Sequence, residues 1–259
     1  MTRTPARPVL ILGSAPDALR ARDWPRAAFH AIVVLNTAWQ VRPDWTHSVM
    51  SNDYAGPRPA PRGRQFLIPD ALVAGALERA GGILACGPTM ALTAGYWAAE
   101  EFAGHPLIWA GCDMLYPDDG PSHFYGRGEA DPLRAEPTLR NLPARAARLW
   151  WHCLKAGCSV HRLSAVPRSN LPIPRINPED IGQSSQALPA QQARIHPRIA
   201  EAALQHEERM GLSRVARSST PGPLHVVMSI TELDTADALW LRVMGLPPDL
   251  HTLRPNRRD

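Results

Sequence analysis

The chain has 259 residues, 44% hydrophobic and 20% charged, with 8 Trp, enough apolar material for one sizeable core, so the composition excludes a disordered chain. Its 27 prolines are about twice the usual share but follow no Gly-x-y period, which excludes collagen and leaves a globular chain with stiff loops. The net charge of +4 is unevenly spread: residues 1–137 hold 12 Lys+Arg against 14 Asp+Glu, and the rest hold 16 against 10.

Lys155 is the single lysine, so the other 27 cations are arginines, set by a GC-rich coding bias or by a surface for planar anions. They form no basic run of the kind that marks a nucleic-acid tail, and no nucleic-acid partner is expected. Four cysteines, Cys86, Cys112, Cys153 and Cys158, are too few for a disulfide framework in a chain of this length, and no secretory signal precedes them. The apolar stretch Ile83 to Ala99 is interrupted by Gly87, Pro88 and Thr89 and runs into Glu100-Glu101, so no transmembrane segment is expected. These features point to the cytoplasm.

In chain order, Val9-Leu10-Ile11-Leu12 reads as a first buried strand, followed by the turn Gly13-Ser14-Ala15-Pro16 and a helix over part of Ala18 to Ala28. Such a turn presents backbone N–H groups to a phosphate, or is simply a tight strand-to-helix connection. It lacks the further glycines of the dinucleotide fingerprint and the Lys-Ser/Thr of a P-loop. Ala31 to Leu35 is the second strand. Asn36 at its end offers a donor and an acceptor to a ribose or base edge, or closes an Asx turn.

Asp70 to Ala80 reads as a helix capped by Asp70, and Thr89 to Glu101 as a helix at whose start Thr89 is an N-cap or a phosphate ligand. Pro106 to Ala110 is the next strand. After it comes the densest group of reactive side chains: Asp113 and Tyr116, then Ser122-His123-Phe124-Tyr125, then Asp131-Pro132-Leu133-Arg134. The carboxylate of Asp113 suits ribose hydroxyls or a metal, and the imidazole of His123 exchanges a proton near neutral pH. Leu139 to Ala156 is a helix and Ser159 to Leu163 a strand. His152, Cys153, Cys158 and His161 are zinc-ligand types within ten residues, but helix and strand geometry points them apart, and no metal site is assigned. No G-x-S-x-G elbow is present.

This alternation predicts an α/β fold, a doubly wound, mostly parallel Rossmann-like sheet, with ligands at the carboxyl ends of the strands. Prolines between 167 and 190 read as a linker, and a boundary is placed at 177, giving a nucleotide-binding domain over 1–177 and a Pro/Arg-rich, mainly helical C-terminal region over 178–259. There Gln191 to Met210 reads as a helix interrupted at Pro197, and Thr235 to Met244 as a short amphipathic one.

The run Ile11 to Pro16, Asn36, the helix start Gly87 to Thr93, Ala110-Gly111-Cys112-Asp113-Met114-Leu115-Tyr116 and Ser169-Asn170-Leu171-Pro172-Ile173-Pro174 together resemble the layout of bacterial CMP-sialic-acid-dependent sialyltransferases of lipooligosaccharide synthesis. A related pattern occurs in the archaeal 6-hydroxymethylpterin diphosphokinase family and its flagellin-associated relatives. The resemblance covers roughly residues 8–175. It implies that Gly13, Ser14 and Ala15 approach the donor phosphate, that Asn36, Thr89 and Asp113 hold the nucleotide, and that Tyr116 or Tyr125 contacts phosphate oxygens. This chain has Ser14, Ala15 and Asp17 where the sialyltransferases carry Asn, Gly and Ser. It has no histidine near Leu139, where theirs is catalytic, so His123 is taken as general base on chemical grounds, with Tyr125 beside it.

The expected function is therefore a cytoplasmic glycosyltransferase, peripheral at the inner membrane if its acceptor is a surface glycan, using a nucleotide sugar as substrate and no cofactor. The alternatives are a Mg-ATP-dependent pyrophosphokinase, in which Asp113 helps bind Mg²⁺, and a nucleotide-binding accessory protein without turnover. The C-terminal region can close over the site, form a homo-oligomer or dock on an anionic surface.

Overall fold

Six runs of the chain meet in one all-parallel sheet: β1 (Val9–Leu12), β2 (Ala31–Leu35), β3 (His47–Val49), β4 (Phe66–Leu67), β5 (Leu107–Ala110) and β6 (Val160–Leu163), in the order β4-β3-β2-β1-β5-β6. A computed structural model describes residues 6–117, 120–127, 137–178, 181, 195–212 and 229–253. In the central strands β1, β2 and β5 every residue is buried, as expected where a parallel sheet is covered on both faces and its strands lose the apolar-polar alternation.

The two covers differ. Val9, Ile11, Val33, Leu35, Leu107 and Trp109 pack against the helices α1 (Asp70–Arg79), α2 (Ile83–Cys86), α3 (Met90–Glu101) and α4 (Leu142–Lys155). Their neighbours Leu10, Leu12, Ile32, Val34, Ile108 and Ala110 pack instead against short 3₁₀ segments, Pro16–Asp23, Arg26–Ala28 and Asn36–Gln40. The α-helix expected in Ala18 to Ala28 is thus two 3₁₀ pieces. Pro25 separates them, because it has no N–H to continue a helical ladder.

Two strands were not legible in the sequence. β3 holds three residues, His47-Ser48-Val49, and β4 two, Phe66-Leu67, too few to show a period. Helix starts also shift. Pro69 occupies the N-cap of α1 and Asp70 is its first helical residue, so Asp70 adds charge to the first turn without capping it. α4 begins at Leu142, three residues after the expected start, because Asn141 takes the cap and its Oδ1 accepts from the Ala144 N–H at 3.1 Å.

Two further helices, α5 (Pro197–Met210) and α6 (Ile230–Val243), pack against each other, and α6 packs on α4. Pro197 opens α5 at its first position, where its missing N–H costs nothing; residues 191–194 of the expected helix lie outside the described residues. α6 starts five residues earlier than its apolar stripe indicated, with Ser229 as N-cap. Much of the expected linker, 179–180 and 182–190, also lies outside them. Among the described residues no helix is long and apolar enough to cross a membrane.

Candidate functional site

The chain leaves β1 toward β2 on one flank and later enters β5 on the other, so the loops after β1 and β5 diverge at the carboxyl edge of the sheet. A cleft of about 1050 Å³ opens there. Its walls are Gly13–Ala15 after β1, Leu35–Thr37 after β2, residues 49–57 from the end of β3 onward, one face of α1, the start of α3, and residues 111–112, 114–116, 122–123, 125 and 127 after β5.

The floor is a seam between two glycines. A Cβ at Gly13 would lie 2.3 Å from the Gly111 carbonyl and 2.6 Å from Cys112 Sγ, and one at Gly111, where φ is +63°, would meet Ala18 Cβ at 2.7 Å. The Gly13 N–H donates to Ala110 O at 2.8 Å and the Ala15 N–H to Gly111 O at 2.9 Å. Two of the three residues expected to cradle a phosphate have therefore committed their amides to the β5 loop. Pro16 has no N–H, and the Asp17 carboxylate accepts from the Ala165 N–H at 3.0 Å. The first turn is thus mainly architectural, and the Ser14 carbonyl accepts from the Phe124 N–H at 2.9 Å, tying the 122–127 loop over it.

Asn36 closes no Asx turn; its side chain bridges two strand ends instead. It sits at φ +46°, and its Oδ1 accepts from the Ser51 N–H at 3.0 Å, joining the ends of β2 and β3, while the residue lines the cleft. Thr89 occupies the N-cap position of α3, yet its hydroxyl makes no capping bond and instead donates to Met114 Sδ at 3.6 Å. Thr89, Met90 and Ala91 line the cleft, so the positive end of α3 opens on it.

The aromatic wall comes from the segments after β5. His123 pairs with Gly126 through two backbone bonds of 3.0 Å, and its ring stacks on Tyr125 at 4.9 Å and 21°. Tyr116 lies at 6.3 Å from the imidazole. His123 Nδ1 is 2.8 Å from Ser122 Oγ; in the tautomer in which Nδ1–H donates to that hydroxyl, Nε2 carries the lone pair. Burial holds the imidazole pKa below its ordinary value, which keeps the ring neutral at pH 7. Tyr125 is half exposed, and Tyr54, after β3, feels it: burial and then Tyr125 raise the Tyr54 phenol.

Asp113 departs from the expectation. It is 4% exposed and is not among the lining residues. Its carboxylate lies 3.9 Å from Arg162, the Ser169 hydroxyl donates to its backbone carbonyl at 3.4 Å, and burial, and then Asp17, push its pKa up to about 6. It belongs to a structural network behind the cleft wall. Among the described residues, the charged ones that line the cleft are Asp53, Asp70 and Arg127. The first, like Tyr54, was missed with β3; the strand's own signal, the short apolar run around Val49-Met50, is too brief to find it. Asp131 to Arg134 lies outside the described residues.

Among the described residues no group of three or more His, Cys, Asp or Glu side chains could hold a metal ion. His152 packs against Tyr96 and Trp151, and Cys153 and Cys158 are buried thiols whose pKa values burial raises. In comparisons with known proteins, no family model, curated protein or solved structure matches this chain.

Proposed function

We propose that the chain is a transferase that takes a nucleotide-activated sugar in the cleft and passes the sugar to a glycan hydroxyl. The observation that carries this reading is the cleft's charge. A pocket at the switch point of an α/β sheet, with the start of α3 facing it, suits a phosphate-bearing ligand, but one arginine against two aspartates among the described lining residues does not suit a polyphosphate. A donor with a single bridging phosphate, such as a CMP-sugar, matches it better, in keeping with the resemblance in the sequence.

In this reading Asn36 and the first turn of α3 hold the nucleotide, and Ser14 and Gly13 form the floor beneath it. His123 Nε2 takes the proton of the acceptor hydroxyl as its oxygen attacks the anomeric carbon. The bond from that carbon to the phosphate oxygen breaks, and the nucleoside monophosphate leaves with the electron pair. Tyr116 and Tyr125 hydroxyls donate to the departing phosphate. The pyrophosphokinase reading loses support, because Asp113, its candidate Mg²⁺ ligand, is turned into the Arg162 network outside the cleft lining.

A thermal-shift panel of CMP, CDP, UDP, GDP, ATP and GTP, each with and without Mg²⁺, tests the reading, because a ligand that binds only the native state raises the melting temperature. A metal-independent shift with CMP is expected. A shift confined to ATP or GTP with Mg²⁺ would return the pyrophosphokinase reading to the front, and no shift with any of them would overturn the nucleotide assignment.

A further inference from the structure

We infer that Asn170 is a positioning residue through which the C-terminal tail sets the shape of the cleft wall at Met114. The inference deepens the reading of the cleft as a ligand site, and begins from an asparagine with no solvent exposure, whose amide is fully employed.

The Asn170 backbone N–H donates to Asp113 O at 2.9 Å, and its Nδ2 donates to Met114 O at 2.8 Å and to Leu253 O at 3.3 Å. Its Oδ1 accepts from the Leu253 N–H at 2.7 Å. One side chain therefore grips two segments about 140 residues apart in sequence: the turn after β5 and the end of the described chain. Only a planar group with donors on one side and an acceptor on the other can do both.

What it grips matters to the cleft. Met114 sits at φ +53°, a left-handed conformation unfavourable for a side chain with a Cβ, and such a residue stays there only when its surroundings hold it. Its side chain lines the cleft and accepts the Thr89 hydroxyl at the start of α3. The path runs from the tail to Asn170, to the Met114 backbone, and through its sulfur to the helix end proposed to face the donor.

The tail is itself pinned twice. Asn141, the N-cap of α4, donates to Leu250 O at 2.9 Å; Thr252 Oγ1 donates to Arg140 O at 2.8 Å and accepts from the Leu142 N–H at 2.8 Å. Residues 250–253 thus form a strap between the start of α4 and Asn170. Nothing in this arrangement requires the strap for the sheet, whose strands pair without it.

The test compares the full chain with Asn170→Asp, which keeps the size but removes both Nδ2 donors, and with Thr252→Val, which loosens the strap at its far end. Amide hydrogen exchange is read without ligand, and CMP affinity by titration. Exchange at residues 114–116 is expected to accelerate about tenfold in Asn170→Asp, the loss of roughly one buried hydrogen bond, with β1 and β2 unchanged. Thr252→Val should move the same amides in the same direction, and CMP should bind several-fold more weakly to both. Unchanged exchange at 114–116 overturns the inference, as does acceleration spread evenly over the sheet, which would mark Asn170 as general scaffolding. Local acceleration in a protein that binds CMP in neither form would uphold the coupling while sinking the nucleotide reading, so the two failures are distinguishable. If Asn170→Asp does not fold, the same exchange criterion applied to Thr252→Val decides.

Discussion

The cleft and the joint between α4 and the C-terminal helices use charge in opposite ways. The described residues that line the cleft carry one guanidinium, two carboxylates and otherwise neutral donors and rings. The joint, which solvent does not reach, is full of ions. Arg148 has no exposure and binds Glu207 at 2.9 Å, the Tyr96 hydroxyl at 3.0 Å and Ala80 O at 2.5 Å. Arg145 binds Asp237 at 2.7 Å and Ala85 O at 3.1 Å, and Trp240 Nε1 donates to Glu207 at 2.6 Å. Among the described residues, the buried ion pairs gather where helices meet rather than in the cleft.

Breaking the joint should have the largest effect. Glu207→Ala leaves Arg148 buried without its carboxylate and the Trp240 N–H without an acceptor, and should cost about 3–5 kcal/mol in urea denaturation. The double variant Arg148→Met with Glu207→Leu should recover most of that loss, because no uncompensated charge stays behind. A double variant as unstable as Glu207→Ala would mean that the ions themselves, and not only their mutual compensation, hold α5 in place.

The next effect falls on the cleft floor. Gly13→Ala puts a methyl group into the Gly111 carbonyl, and backbone cannot yield as a flexible side chain does, so about 1–3 kcal/mol should be lost together with ligand binding. Asn36→Ala should cost about 1–2 kcal/mol, from the bond to Ser51 and the left-handed backbone, whereas Asn36→Gly restores the backbone freedom and loses the amide alone. CMP titration of the two should show equal weakening if the amide touches the nucleotide. If only the alanine variant binds weakly, Asn36 acts through the backbone.

How much of this was legible in the sequence follows from what each feature depends on. β1, β2 and β5 showed as apolar runs because a buried parallel strand carries its signal within four or five residues; β6, Val160-His161-Arg162-Leu163, was found with only its two ends apolar. The meeting of the Gly13, Asn36 and Gly111 loops at one edge followed from their place at the carboxyl ends of strands, whereas the strand order did not. β3 and β4 are too short to carry such a signal, and with β3 went Tyr54 and Asp53. Asp113 lies off the described cleft lining because position after a strand does not say which side of the loop a carboxyl takes, and Arg162, 3.9 Å from it, stands some fifty residues later in the chain. Arg145 and Arg148 stand on the same helix, three apart, but their partners Asp237 and Glu207 lie on helices that a single sequence does not place beside them.

A smaller effect belongs to the end of the sheet away from the cleft. His47, at the start of β3, packs against Phe66, Trp97 and Phe102, with His30 near it; His30 in turn stacks on His105 at 4.1 Å and feels Arg7 and Arg26. Burial, then His30, lowers the His47 pKa to about 4. The folded state thus keeps the ring neutral where the unfolded chain, with an ordinary value near 6.5, takes up a proton. Its stability contribution is whole above about pH 6.5 and is lost as pH falls toward 4. Partial solvent contact screens the effect to on the order of 1 kcal/mol. His47→Gln should flatten the fall in melting temperature between pH 6.5 and 4.5; an unchanged slope would place the acid sensitivity elsewhere.

The smallest effect on stability and the largest on turnover should come from the same residue, and this is where the contrast between cleft and joint is sharpest. His123→Gln removes an imidazole from a loop held by its own backbone pair with Gly126 and by the Phe124 N–H on Ser14, so about 0.5 kcal/mol should be lost. If His123 is the base, kcat with a CMP-sugar donor should fall 10²–10⁴-fold, on the order of what one proton-transfer group contributes. Because burial lowers its pKa, the acid limb of the wild-type rate profile should lie below 6.5 and vanish in the variant. A large stability loss with unaltered turnover would make His123 a structural ring like those around His47, and the aromatic wall would then belong with the joint, as packing, and no longer with the chemistry.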